Sequence, residues 1–135
     1  QTDSIRTTAG AIIAAIIRKG GLGNWPGLLE NLVGGLTNTG TDAKFIDGIL
    51  CSLRMICEDC ANEICDKKDD QGREKYESVL NVLLPTLIQY LAHEVPQFRC
   101  HALKCLNQFI MFMPMAFKNN FPEFLTVSTK FCVWM

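Results

Sequence analysis

Apolar residues return every three or four positions along most of this chain, and that period commits it to a stack of helices. From Ser4 to Lys19 the pattern is carried by Ile5, Ala9, Ile12, Ile13, Ile16 and Ile17, and Arg18-Lys19 followed by Gly20-Gly21 supplies a C-terminal stop. Pro26 stands where a first helical turn tolerates it, and Leu28, Leu29, Leu32, Val33 and Leu36 follow until a Gly/Thr-rich break at 37–41. A third helix is expected from Asp42, as N-cap, through Ile46, Ile49, Leu50, Leu53, Ile56, Cys57 and Cys60. Between Glu58 and Glu77 the composition turns charged with no sustained apolar stripe, which predicts a solvated loop or helix end turning at Asp69-Asp70-Gln71-Gly72. The period resumes at Val79, Leu80, Leu83, Leu84, Leu87, Ile88 and Leu91. Val95-Pro96 then forces a turn into Phe98, Ala102, Leu103, Leu106, Phe109 and Ile110, closed by Pro114. A last helix is expected to open near Phe121-Pro122 and run into the apolar end, Phe131 to Met135.

Six helices, short connections and no strand signal predict an all-α array, and two internal echoes make it a repeating one. Pro-x-apolar-apolar-x-x-apolar occurs at Pro26 to Leu32 and at Pro85 to Leu91, with a partial copy at Pro122 to Leu125. Ser52-Leu53-Arg54-Met55-Ile56 is echoed by Ala102-Leu103-Lys104-Cys105-Leu106. One repeat is then two helices, the first opening with proline. Residues 1–135 read as a single array, with helix pairs at about 25–61 and 78–113 flanked by partial repeats at 4–19 and 121–135. In a solenoid each repeat contacts only its neighbours, so each end should present an apolar face and favour self-association.

Composition narrows the function classes. Hydrophobic residues at 48% against 20% charged exclude general disorder, and a formal charge of −1 offers no basic field for nucleic acid. The apolar run between Arg6 and Arg18 falls short of the roughly 20 residues a membrane span needs. Seven cysteines, an odd number set mostly inside apolar helical patterns, behave as small hydrophobes of a reducing compartment.

No residue set here meets the requirements of catalysis, a metal or a cofactor. Cys57-x-x-Cys60 with Cys65 has a superficial zinc spacing, but the pair lies inside a helix facing the core, where packing is the expected role. Gly20-Gly21-Leu22-Gly23 lacks both the preceding strand and the following Gly-Lys-Ser/Thr of a phosphate loop. Cys100 or Cys105 with His101 lacks an orienting group. Arg99, just past Val95-Pro96, is expected to be structural and to bond a neighbouring repeat. The exposed edge of the third helix differs: Asp47, Arg54 and Glu58 lie along one stripe, and Lys104 and Gln108 form the equivalent stripe one repeat later.

Four runs in order, Ile5-Arg6-x-Thr8-x-Gly10, Asn24-Trp25-Pro26-x-Leu28-Leu29, Ile56-Cys57-Glu58-Asp59-x-Ala61 and Arg99-x-His101-Ala102-x-x-Cys105-x-Asn107-Gln108-Phe109-Ile110, together resemble the transportin branch of the importin-β family. The resemblance extends, with gaps, over nearly the whole chain. It departs at Asn62 to Glu77, which is longer and more charged, and at Met111 to Asn120, which is more apolar. It implies an α-α superhelix of HEAT repeats from the N-terminal arch of a nuclear import receptor, a scaffold and not an enzyme, shared between cytoplasm and nucleus. It further implies GTP-bound Ran as a partner gripped by second helices of the repeats. Nucleoporins are a further implied partner, and cargo carrying a nuclear localisation signal would bind outside this stretch. On that basis Asp47, Arg54, Glu58, Lys104 and Gln108 are the residues expected to meet Ran on a concave face. A generic HEAT scaffold or adaptor subunit is the alternative, with a small helical enzyme or zinc protein behind it.

Overall fold

A computed structural model describes residues 2–25, 27–38, 42–66, 68, 70–72 and 75–131. Among them are six α-helices, α1 (Thr2–Gly20), α2 (Leu28–Thr37), α3 (Ala43–Asp66), α4 (Glu77–Tyr90), α5 (Pro96–Ile110) and α6 (Met115–Phe131), with one 3-10 turn at Leu22–Asn24. Each boundary has a local cause. Gly21, at φ 82° and ψ 150°, occupies a region that only glycine enters freely, so α1 ends there. The Leu22 amide beyond it donates to Glu63 Oε1 of α3 at 2.9 Å, which pins the turn. Asp42 opens α3 as expected, its Oδ1 accepting the Lys44 N–H at 2.8 Å.

The helices form two layers. α3 packs between α1 and α5, α4 packs between α2 and α6, and the layers meet where α2 lies on α3 and α4 on α5. The α1–α3 approach is close because α1 carries glycine there: a Cβ on Gly10 would stand 3.3 Å from both Met55 Sδ and Ser52 Oγ. The core between the layers is built from Leu50, Leu53, Ile56 and Cys57 of α3, Leu80, Leu83, Leu84 and Leu87 of α4, and Phe109 and Phe117, all fully buried. This is the all-α superhelix of HEAT type that the periodicity and the resemblance predict.

Three expected helix boundaries need correction. The charged stretch after Glu58 does not leave the helix: α3 continues to Asp66, because Cys60, Ala61, Ile64 and Cys65 keep its apolar face buried. The last helix begins at Met115, with Ala116 and Phe117 already in the core, and Pro122 lies inside it. Pro85 likewise lies inside α4, so the proline motif does not mark a helix start in either case. Each proline removes one intrahelical bond, and flanking packing carries the helix through it. The motif still marks equivalent helices, since α2, α4 and α6 form one layer. Pro26, the Asp69 position of the expected turn and the apolar residues 132–135 lie outside the described residues.

The turn from α4 to α5 fixes where α5 points. Val95 is extended, as a residue before proline must be, and Pro96 starts the helix. Tyr90, His93 and Phe98 pack their rings together, His93 to Phe98 at 4.9 Å between centroids. Arg99 is structural, but it clamps its own turn and not a neighbouring repeat: Nη1 donates to the carbonyls of His93 at 2.8 Å and Glu94 at 3.2 Å. One apolar stripe remains uncovered. Ile5, Ile12 and Ile16 on α1 are all more than half exposed, while Ala14 and Ile17 on the opposite face are buried, so α1 is apolar on two sides.

Candidate partner-binding surface between α3 and α5

One stripe of α3 carries Asp47, Cys51, Arg54 and Glu58, at spacings of four, three and four, with Cys51 buried. That spacing follows one helix face. α5 repeats it fifty residues later with Gln97, His101, Lys104 and Gln108. Because α3 and α5 lie side by side in one layer, the two stripes face each other across a groove of about 320 Å³ lined by Asp47, Cys51, Arg54, Gln97, His101 and Lys104, with Pro96 and Cys100 at its edge.

The structure therefore brings three of the five residues singled out from sequence, Asp47, Arg54 and Lys104, into a single groove. The other two continue the stripes without lining it: Glu58 is exposed one turn beyond Arg54, and Gln108 is half-buried one turn beyond Lys104. Sequence reasoning missed His101 as a member of this face. Its place three residues before Lys104 and seven before Gln108 was the available signal.

His101 links the helices. Its Nε2 comes within 3.4 Å of Asp47 Oδ1, with both side chains at least four-fifths buried. Burial pushes the imidazole below its ordinary value, the Arg54 guanidinium adds to that, and the Asp47 carboxylate opposes it. At neutral pH the ring is uncharged, so the link is a hydrogen bond donated by Nε2–H and not an ion pair. Arg54 folds back along its own helix, Nη2 pointing to Cys51 Sγ at 3.8 Å. Its Nε and the His101 Nδ1 are buried with no hydrogen-bond partner among the described residues. The groove thus holds two cations, one carboxylate, a neutral imidazole and two unsatisfied polar atoms.

The cysteines of the zinc-like spacing do not line the groove. Cys57, Cys60 and Cys65 are buried in the core. Cys57 meets Cys105 of α5, and that contact, with burial, raises its thiol well above the usual range. Burial raises Cys60 as well. Both thiols are protonated and packed, the state opposite to that of a metal ligand or nucleophile.

Comparison with known proteins places the chain. No family model matches it. It is 36% identical over 121 residues to human Transportin-1 and 31% identical over 121 residues to Importin subunit beta-2 of Schizosaccharomyces pombe. It is also 36% identical over 122 residues to Transportin of Dictyostelium discoideum, and each match covers 90% of this chain. The chain belongs to the transportin family. It spans 12% of the length of each of these relatives.

Proposed function

We propose that this chain is a segment of a nuclear import receptor, a non-catalytic scaffold whose α3–α5 face contributes to docking of GTP-loaded Ran. The relationship to proteins named transportin and importin supports the receptor reading. The observation that carries the docking reading is the convergence of Asp47, Arg54 and Lys104 from two adjacent helices of one layer into one charged groove. In this reading α2 with α3 and α4 with α5 are two HEAT repeats, and α1 and α6 belong to the flanking ones. The docking residues then lie on second helices. Glu58 and Gln108 extend the contact along the same stripes.

Such a receptor works by linkage. Ran and cargo disfavour one another through the curvature of the superhelix, so GTP-loaded Ran releases a cargo whose localisation signal is held outside this segment. Nucleoporins are the further partners of that cycle, which runs between cytoplasm and nucleus. Neither nucleic acid nor membrane takes part in it. The test is a pull-down of the full-length receptor against GTP-loaded and GDP-loaded Ran, with and without charge reversal of Asp47 and Glu58. Binding selective for the GTP form and weakened by the reversal is expected. Equal capture of both forms, or of neither, would leave a generic HEAT scaffold.

A further inference from the structure

We infer that the α3–α5 groove is a socket for a single carboxylate, an aspartate or glutamate side chain presented by the protein that docks on this face. This rests on the reading of the face as a docking surface and goes beyond it by naming what the partner inserts.

Three observations carry it. Arg54 and Lys104 stand on opposite walls, one from each helix, and Asp47 is the one carboxylate among the lining residues, so the groove keeps one positive charge. With His101 uncharged, that charge matches a monoanion and leaves a phosphate dianion in excess. Arg54 Nε is buried with no hydrogen-bond partner among the described residues. An isolated buried guanidinium donor is a costly state, and a carboxylate oxygen is the acceptor that best relieves it, through a charge-assisted bond.

His101 sets the selectivity. Its Nε2 faces Asp47 Oδ1 at 3.4 Å, which ties that carboxylate of α3 to α5. His101 is thus a positioning residue, and the groove is about 320 Å³, room for one side chain but not for a strand or helix.

The test is a titration of this chain by NMR, following the Arg54 Nε–Hε resonance, assigned by its loss in Arg54→Gln. The probes are a blocked Gly-Glu-Gly peptide, its Gly-Gln-Gly counterpart and inorganic phosphate. A saturable downfield shift with the glutamate peptide is expected, absent with the glutamine peptide and weakened about threefold to tenfold by Lys104→Gln, an exposed position that leaves the core alone. No shift, or an equal shift with the glutamine peptide, would overturn the proposal, and phosphate saturating at lower concentration than the glutamate peptide would replace the carboxylate by a phosphate site. A second arm measures GTP-loaded Ran on the full-length receptor, where Arg54→Gln should weaken binding about tenfold. If the peptide shifts Arg54 and unsubstituted receptor does not bind Ran, the socket stands and the Ran reading falls. If Ran binds and the peptide leaves Arg54 unmoved, the reverse holds.

Discussion

Gly34 and Gly35 are neighbours in α2, and alanine at the two positions should move stability in opposite directions. Both are helical, so alanine brings the same backbone gain at each, about 1 kcal/mol. Space is what differs. A Cβ on Gly34 meets nothing within 4 Å, whereas one on Gly35 would stand 2.5 Å from Ile49 Cδ1 and 3.4 Å from Phe45 Cε1. Ile49 is buried in the seam between α2 and α3, so its methyl has to leave its rotamer well, an overpacking cost of about 1–3 kcal/mol. Gly34→Ala should therefore stabilise by roughly 0.5–1 kcal/mol and Gly35→Ala should destabilise by about 1 kcal/mol. For a chain of this size each kcal/mol corresponds to about 3–5 °C in Tm, well resolved by circular dichroism melts. Ile49→Val deletes the offending methyl. Alone it should cost about 0.5–1.5 kcal/mol, and less beside Gly35→Ala, so a double-mutant cycle should show coupling of about 1 kcal/mol. Equal effects at the two glycines, or additivity with Ile49→Val, would refute the α2–α3 contact from which these values are worked.

Three further outcomes follow from the same packing. Since His101 is held below its ordinary value, the unfolded chain takes up the proton first; stability should be complete above about pH 6.5 and decline as pH falls through the folded value, and denaturant melts of His101→Gln should lose that slope. Among the described thiols, a soluble thiol reagent should modify the exposed Cys100 at once, whereas Cys57 and Cys105, buried against each other, should react only as fast as the chain opens; rapid labelling of Cys57 would contradict the α3–α5 seam. The chain should self-associate through the exposed Ile5, Ile12 and Ile16 stripe of α1, and Ile12→Lys with Ile16→Lys should shift sedimentation toward monomer; a monodisperse monomer of the unsubstituted chain at high concentration would count against it.

Much of this fold was legible because a buried helix face leaves a period in the sequence. Leu50, Leu53, Ile56 and Cys57, or Leu80, Leu83, Leu84 and Leu87, declare both the helix and its inward side. Helix ends were harder wherever the stop was not glycine. Gly21 ends α1 by its positive φ, and that signal was plain; Cys60 to Cys65 continue α3 under a charged surface that looked like loop. Proline misled in the other direction. At Pro85 and Pro122 it reads as an opening, yet the apolar residues on both sides are buried in the same core, and tertiary packing outweighs one missing hydrogen bond. The uncovered stripe on α1 was invisible as such, since an apolar residue facing the core and one facing a neighbour's place look alike in sequence.

The site was legible to the extent that it is periodic. Arg54 and Lys104 were matched as equivalents because their surroundings repeat, and the structure places them on facing helices of one layer. What the repeat could not convey is how its substitutions divide the labour. At the position where α3 has Asp47, α5 has Gln97; where α3 has Glu58, α5 has Gln108; where α3 has Arg54, α5 keeps a cation in Lys104. Moving along the layer, the acids are lost and the base is retained. The α3 wall thus carries both signs and the α5 wall only the positive one, so the groove between them is biased toward an anion, while the exposed Glu58 beyond its end remains available to a cation. A docking partner that satisfies both has to present an acidic and a basic group about one helical turn apart, roughly 5 Å along the helix axis. Charge reversal at Glu58 and neutralisation of Lys104 should then weaken the same complex through different partner residues, and their effects should add. Strong coupling between these two substitutions would mean that both act on one partner group, and the division of the face into a socket and a flanking acidic contact would fail.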